Sequence, residues 1–240
     1  QPMLRSEDPA FVLYPGLTPL DFVGPLQIIN QVEIVARYFG GESALRTTTV
    51  AARREPLSTD LAFEVVAART FDEVQRPEVL LVPGGDAPTI AALADEELRD
   101  YLRQVDRTAD IVTSVCTGSL LLAGAGLLHG RTATTHWAYH RLLTRLGVRY
   151  LPERWVVEDG KYLTAAGVSA GIDMALALVA RLVGEPMARL AQLLVEYDPK
   201  PPFGTIEWGT VDRDLLNPQI SKIVETVLVD RPELIDRLVT

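Results

Sequence analysis

In Ala109-Asp110-Ile111-Val112-Thr113-Ser114-Val115-Cys116-Thr117-Gly118-Ser119, an apolar, β-branched run stops at a cysteine that has a small residue two positions away on either side. The run reads as a buried strand, and the Leu- and Ala-rich segment up to Gly124 and Gly126 reads as a helix. A nucleophile between strand and helix with small neighbours at these offsets is the pattern of a nucleophile elbow. The tight turn presses backbone against backbone and leaves little room for side chains at positions 114 and 118. A residue so placed projects from the carboxyl edge of the sheet, where open α/β sheets bind ligands.

Working outward, Ala10-Phe11-Val12-Leu13-Tyr14 closed by Pro15-Gly16, and Val79-Leu80-Leu81-Val82 closed by Pro83-Gly84-Gly85, read as two further buried strands. The spacing of Leu26, Ile28, Ile29 and Val32 predicts a helix from near Val23, and Ile34 to Tyr38 then reads as another strand. Residues 47–70 are mixed and carry extended patches such as Phe63-Glu64-Val65-Val66. Helices are expected over 95–107, 137–146, 170–182, 186–195 and 219–238, the last interrupted near Pro232, with strand-like segments over 150–164 and a proline-rich break at 198–204. Strands alternating with helices predict an α/β fold with a mostly parallel sheet.

The chain has 240 residues, enough for one well-buried core, and its 48% hydrophobic and 23% charged composition is that of a single globular domain. Its 23 Lys and Arg against 32 Asp and Glu give a formal charge of −9, a surface that repels phosphate backbones and anionic lipid, so no nucleic acid or membrane partner is expected. Residues 111–130 lack formal charge over the length of a spanning helix, but their Thr, Ser and Gly content fits strand, turn and helix in series better. A single cysteine and a start without an apolar leader predict a cytoplasmic protein, with no disulfide and no cysteine-rich metal site.

Cys116 at a helix N-terminus is expected to favour its thiolate, the alternative being a buried structural cysteine. The histidines, His129, His136 and His140, all lie within 24 positions after Cys116 with no Asp or Glu between, so neither the hydrolase order nor a late histidine is present. A carboxylate from another strand end remains as partner. Asp21, expected in the loop after the first strand, faces the cysteine if the two strands are neighbours, and otherwise reads as an N-cap. The amides of Gly85 and Thr117 are candidates for stabilising negative charge, with Gly84 beside them, and the Thr117 hydroxyl is placed to bond Asp21. His136 and Trp137 read as packed residues that support the site.

Six groups of residues resemble the ThiJ/PfpI superfamily, with its glutamine-amidotransferase-like sheet, and within it the isonitrile hydratase branch. They are Leu20-Asp21-Phe22-Val23-Gly24-Pro25, Val82-Pro83-Gly84-Gly85, Val112 to Ser119, Gly126-Leu127-Leu128 with Ala133 to His140, Gly171-Ile172-Asp173, and Pro201-Pro202-Phe203. The resemblance implies a flavodoxin-like three-layer sandwich over residues 10–204, leaving a tail at 1–9 and a helical extension at 205–240, and a homodimer. It implies hydration of a small isonitrile to an N-substituted formamide without cofactor or metal, with Cys116 as nucleophile, Asp21 as general acid/base and Thr117 beside it. Peptidase-like members carry histidine where this chain has Thr117, which argues against proteolysis. Other cysteine chemistry of the glyoxalase or deglycase kind, or a non-enzymatic small-molecule or redox sensor, are the alternatives. The core also resembles the ligand domain of AraC-type regulators, but only 36 residues follow Gly204, fewer than paired helix-turn-helix motifs need.

Overall fold

The computed structural model describes residues 9–41, 45–152 and 155–240. In chain order the elements are β1 (Pro9–Val12), α1 (Leu20–Phe39), β2 (Thr48–Ala51), β3 (Leu57–Ser58), β4 (Glu64–Val65), β5 (Arg69–Thr70), β6 (Val79–Val82), α2 (Ala87–Ala92), α3 (Glu96–Asp106) and β7 (Ile111–Val115). They continue with α4 (Gly118–Gly124), β8 (Thr132–Ala133), α5 (His140–Arg145), β9 (Arg149–Tyr150), β10 (Val156–Asp159), β11 (Tyr162–Ala165), α6 (Ala170–Val183), α7 (Glu185–Leu194), α8 (Asn217–Val227) and α9 (Pro232–Val239).

The main sheet runs β10-β11-β7-β6-β1-β2-β5, and every neighbouring pair is parallel except β10 with β11. Its central strands β1, β6 and β7 are buried along their whole length, which is why they read as unbroken apolar runs rather than as alternations. Helix α6 packs on β7, β10 and β11 and against α1 and α7, whereas α4 packs on β6 and β7 among α2, α3 and α5. The architecture is a single-domain α/β fold with a mostly parallel sheet between helices.

β1 leads outward through β2 to β5, and the chain then returns to β6 on the other side of β1. The loops after β1 and β6 therefore diverge at the point where the winding reverses, and a crevice opens there at the carboxyl edge. The last helices are part of the same core: α8 lies against α2 and α9 against α5 and α8, with Ile220, Val224, Leu228 and Leu238 buried.

Three sequence expectations are corrected. Ile34 to Tyr38 is not a strand: α1 continues through it to Phe39 and ends at Gly40, whose φ of 79° and N–H bond to the Ala36 carbonyl close the helix. The β-branched residues there suggested extension, but α1 buries Ile28, Ile29 and Val32 and docks on α6, and that packing carries the helix onward. The helix also starts a turn earlier than Val23, at Leu20, so Asp21 sits in its first turn and not in the preceding loop. Pro25 is thereby inside the helix. It packs where Gly171 of α6 has no side chain: a Cβ on Gly171 would come within 3.2 Å of the Pro25 ring and 3.0 Å of Val115. Finally, β1 does not adjoin β7, because β6 lies between them.

Candidate active site

Cys116 follows β7 directly and adopts φ 57°, a left-handed conformation unusual for a residue with a side chain. Its backbone is held on both sides. The Cys116 N–H donates to the carbonyls of Ala165 (3.2 Å), the last residue of β11, and Ala166 (3.1 Å) just after it. Its carbonyl accepts from the hydroxyls of Thr135 (3.0 Å) and Ser119 (3.3 Å). The small residue at 118 has a direct cause, since a Cβ on Gly118 would lie 2.1 Å from the Val82 carbonyl oxygen. The thiol is buried, at 4% exposure.

The loop after β6 fills the space between the cysteine and α1. Asp21 is fully buried, and its Oδ2 accepts the Gly84 N–H at 2.9 Å while Oδ1 has no hydrogen-bond partner. Asp21 is therefore not an N-cap: it bonds a segment 63 residues away in sequence. The Thr117 hydroxyl donates to the Gly85 carbonyl (2.6 Å) and accepts the Gly85 N–H (2.8 Å). The expected Thr117–Asp21 bond is replaced by this pair, because the Gly84-Gly85 loop lies between the two residues. A Cβ on Gly84 would meet the Thr117 nitrogen and hydroxyl at 2.5 Å. The same bonds bear on the expected charge-stabilising role of Gly84 and Gly85. Both amides already have acceptors, so in this geometry they position Asp21 and Thr117.

Burial sets the electrostatics. It raises the Asp21 carboxyl from 3.8 to about 7, against the Gly84 N–H, which favours the carboxylate, and with a further push from the charge of Asp60. Burial also pushes the Cys116 thiol well up, and the Asp21 charge adds to this, while the Thr117 backbone and hydroxyl work the other way. The expectation that a helix N-terminus would favour the thiolate is thus overridden by desolvation and a neighbouring carboxylate. On raising the pH Asp21 loses its proton first, and its charge then holds the proton on sulfur.

Sequence reasoning missed three residues around this edge. Tyr14 donates to the Pro83 carbonyl (2.7 Å) and bonds the Thr89 hydroxyl (2.9 Å), fixing the entry to the Gly84-Gly85 loop. Asp86 adds its negative charge near Cys116 and accepts from the Tyr139 hydroxyl at 2.5 Å. The Asp86-Ala87-Pro88 sequence could have signalled the short helix α2 that begins there, since Pro is favoured in a first turn. The contacts to Tyr14 and Tyr139 had no local signal.

A cavity of about 360 Å³ reaches the Cys116 turn through Thr135 and Ala166, two of the four residues that bond the Cys116 backbone, while Cys116 and Asp21 are not themselves in its lining. Leu20, next to Asp21, also lines it. His136 and Trp137 line the cavity directly rather than standing behind it. His136 accepts the Ala138 N–H on Nδ1 (3.2 Å), and burial lowers its pKa despite the charge of Asp86, so the ring is neutral with its proton on Nε2. Among the described residues no cluster of three His, Cys, Asp or Glu side chains is arranged to hold a metal, and no helix is long and apolar enough to cross a membrane.

Comparison with known proteins places these features. The model of the DJ-1/PfpI family matches residues 10–181. The chain is 39% identical to the isonitrile hydratase of Pseudomonas putida over 80% of its own length and 79% of that protein's. It is 30% identical to the HTH-type transcriptional regulator CdhR of Pseudomonas aeruginosa over 76% of its length, which spans 53% of the regulator. Among solved structures it resembles a ThiJ/PfpI family protein from Pseudomonas syringae, with a TM-score of 0.78 at 33% identity, over 99% of this chain and 92% of the other.

Proposed function

The chain belongs to the DJ-1/PfpI family, and from that premise we propose that it hydrates a small isonitrile to an N-substituted formamide, with Cys116 as nucleophile and Asp21 as general acid and base. The observation that carries this reading is the state of Asp21. It is a buried carboxyl near Cys116, with one oxygen tied to the Gly84 amide, the other without a partner, and a pKa of about 7. A group poised near neutrality can both give and take a proton in one turnover.

The chemistry follows from the substrate. The terminal carbon of R–N≡C accepts a nucleophile only as it gains a proton. Asp21 as carboxylate takes the Cys116 thiol proton and delivers it to that carbon as sulfur forms the C–S bond, giving the thioimidate R–N=CH–S–Cys and leaving Asp21 again a carboxylate. Water then adds to the carbon, Asp21 taking its proton and passing one to nitrogen. Collapse of R–NH–CH(OH)–S–Cys breaks the C–S bond, the hydroxyl proton passes through Asp21 to the departing sulfur, and R–NH–CHO leaves with the cysteine thiol restored. One water is consumed and both groups end as they began. The strained φ at Cys116 is consistent with an elbow that presents sulfur to the crevice. Thr117, bonded to Gly85, holds that loop beside the thiol without itself moving a proton.

The test follows loss of an aryl isonitrile by absorbance and identifies the formamide by mass. Turnover by wild type that is abolished in Cys116→Ala supports the assignment. Absence of turnover, or wild-type rates in Cys116→Ala, sinks it and favours a sensor. The reading extends to a cytosolic homodimer, for which light scattering should give twice the 26.3 kDa chain mass.

A further inference from the structure

We propose that the cavity beside Cys116 selects isonitriles that carry a carboxylate, bound by the Arg213 guanidinium with the Tyr150 hydroxyl and the Trp208 indole N–H. The inference deepens the hydratase reading and rests on it for the reacting group alone.

The lining of the cavity divides by chemistry. Leu20, Trp137, Val168 and Ile206 give it an apolar wall that suits a hydrocarbon or aromatic body. Tyr150, Trp208 and Arg213 also line it and supply hydrogen-bond donors. Arg213 donates from Nη1 to the Tyr150 hydroxyl (2.9 Å) and lies 5.3 Å from the centre of the Trp208 ring, and among the described residues no carboxylate pairs with it.

The two acids beside Arg213 in sequence are engaged elsewhere. Asp212 accepts the Asp214 N–H at 3.0 Å. Asp214 accepts from Asn217 at 2.7 Å and pairs with His140 at 3.0 Å. Because the Tyr150 oxygen accepts from Arg213, its own proton is available to a ligand. The Trp208 N–H is buried with no hydrogen-bond partner, a state that proteins rarely leave uncompensated.

Three donors that line one cavity, one of them a permanent cation with a planar fork, are complementary to a carboxylate. The His140–Asp214 pair and the Arg213–Trp208 contact hold the 206–214 segment in place, so the donor set is built before any ligand arrives.

The experiment compares one isonitrile body in two forms, the isonitrile derived from phenylalanine as its free carboxylate and as its methyl ester. Wild type should favour the acid in kcat/KM by about 10- to 100-fold, the size of a hydrogen-bonded charge pair. Arg213→Gln should bring that ratio close to one, Arg213→Lys should keep much of it, and Trp208→Phe should lower it by about 3- to 10-fold. No preference in wild type, or a preference that survives Arg213→Gln, overturns the proposal.

A binding arm separates this from the hydratase reading. N-formyl-phenylalanine and its methyl ester are titrated by tryptophan fluorescence. If no isonitrile is turned over but the acid binds more tightly in an Arg213-dependent way, the hydratase reading fails and the carboxylate site stands. If isonitriles are turned over and acid and ester bind alike, the site fails and the hydratase reading stands.

Discussion

Asp21→Asn is expected to change the stability of the fold in a way that depends on pH. The folded protein holds the Asp21 proton with a pKa of about 7 against an ordinary 3.8. The folded state thus binds this proton more tightly than the unfolded chain. The associated stability is fully present below about pH 3.8 and is lost as pH rises toward 7. At about 1.4 kcal/mol per unit, raising pH from 5 to 8 removes about 3 kcal/mol from wild type through this one group. Asparagine does not titrate. Its amide puts N–H donors where Oδ1 has no partner, at a cost of about 1–3 kcal/mol at either pH. The variant should therefore be less stable than wild type at pH 5, and the difference should shrink or reverse by pH 8. The thiol of Cys116, raised above its ordinary value of 9.0, stays protonated throughout and does not confuse the comparison. Urea midpoints of both proteins at pH 5, 6.5 and 8 measure the effect. Stability curves that run parallel across this range would refute a buried carboxyl with a raised pKa.

The raised thiol predicts that iodoacetamide labels native Cys116 more slowly below about pH 9 than it labels the urea-unfolded chain, as mass spectrometry against time will show. Thr117→Val keeps the shape of the side chain but leaves the Gly85 N–H and carbonyl without their partner. It should cost about 1–3 kcal/mol in denaturant unfolding and retain part of the isonitrile turnover, since the hydroxyl moves no proton in the proposed cycle.

What could be read in the sequence was whatever the chain states locally. β6 was legible as an unbroken apolar run closed by Pro83-Gly84-Gly85, β7 as a buried strand closed by Cys116, and α3 as a helix over 95–107, where the structure shows Asp95 capping the Leu98 N–H. Ile34 to Tyr38 misled because β-branched side chains favour extension locally while docking on α6 rewards the helix. The site shows the same division. Asp21 and Cys116 could be found from their motifs and a process of elimination. The Gly84 loop between them could not, because its bonds join residues 63 and 32 positions apart and depend on β6 lying between β1 and β7. The cavity wall from Ile206 to Arg213 was equally hidden, since where that segment lies is decided by α8 and α9 packing on distant helices.

The loop at Gly84-Gly85 has a consequence for the time scale on which the crevice can open. Thr18 N–H to the Gly84 carbonyl (2.8 Å), Gly84 N–H to Asp21 and Gly85 N–H to Thr117 join the ends of three parallel strands in one chain of hydrogen bonds, all at buried residues except Thr18. Releasing any one of these amides to solvent requires the loops after β1, β6 and β7 to separate together. Irregular backbone between a strand and a helix ordinarily exchanges its amide hydrogens quickly. These two glycine amides should instead exchange with the slow class of the central strands, through sub-global opening rather than loop fraying, so that the crevice edge behaves as part of the sheet's most durable cooperative unit.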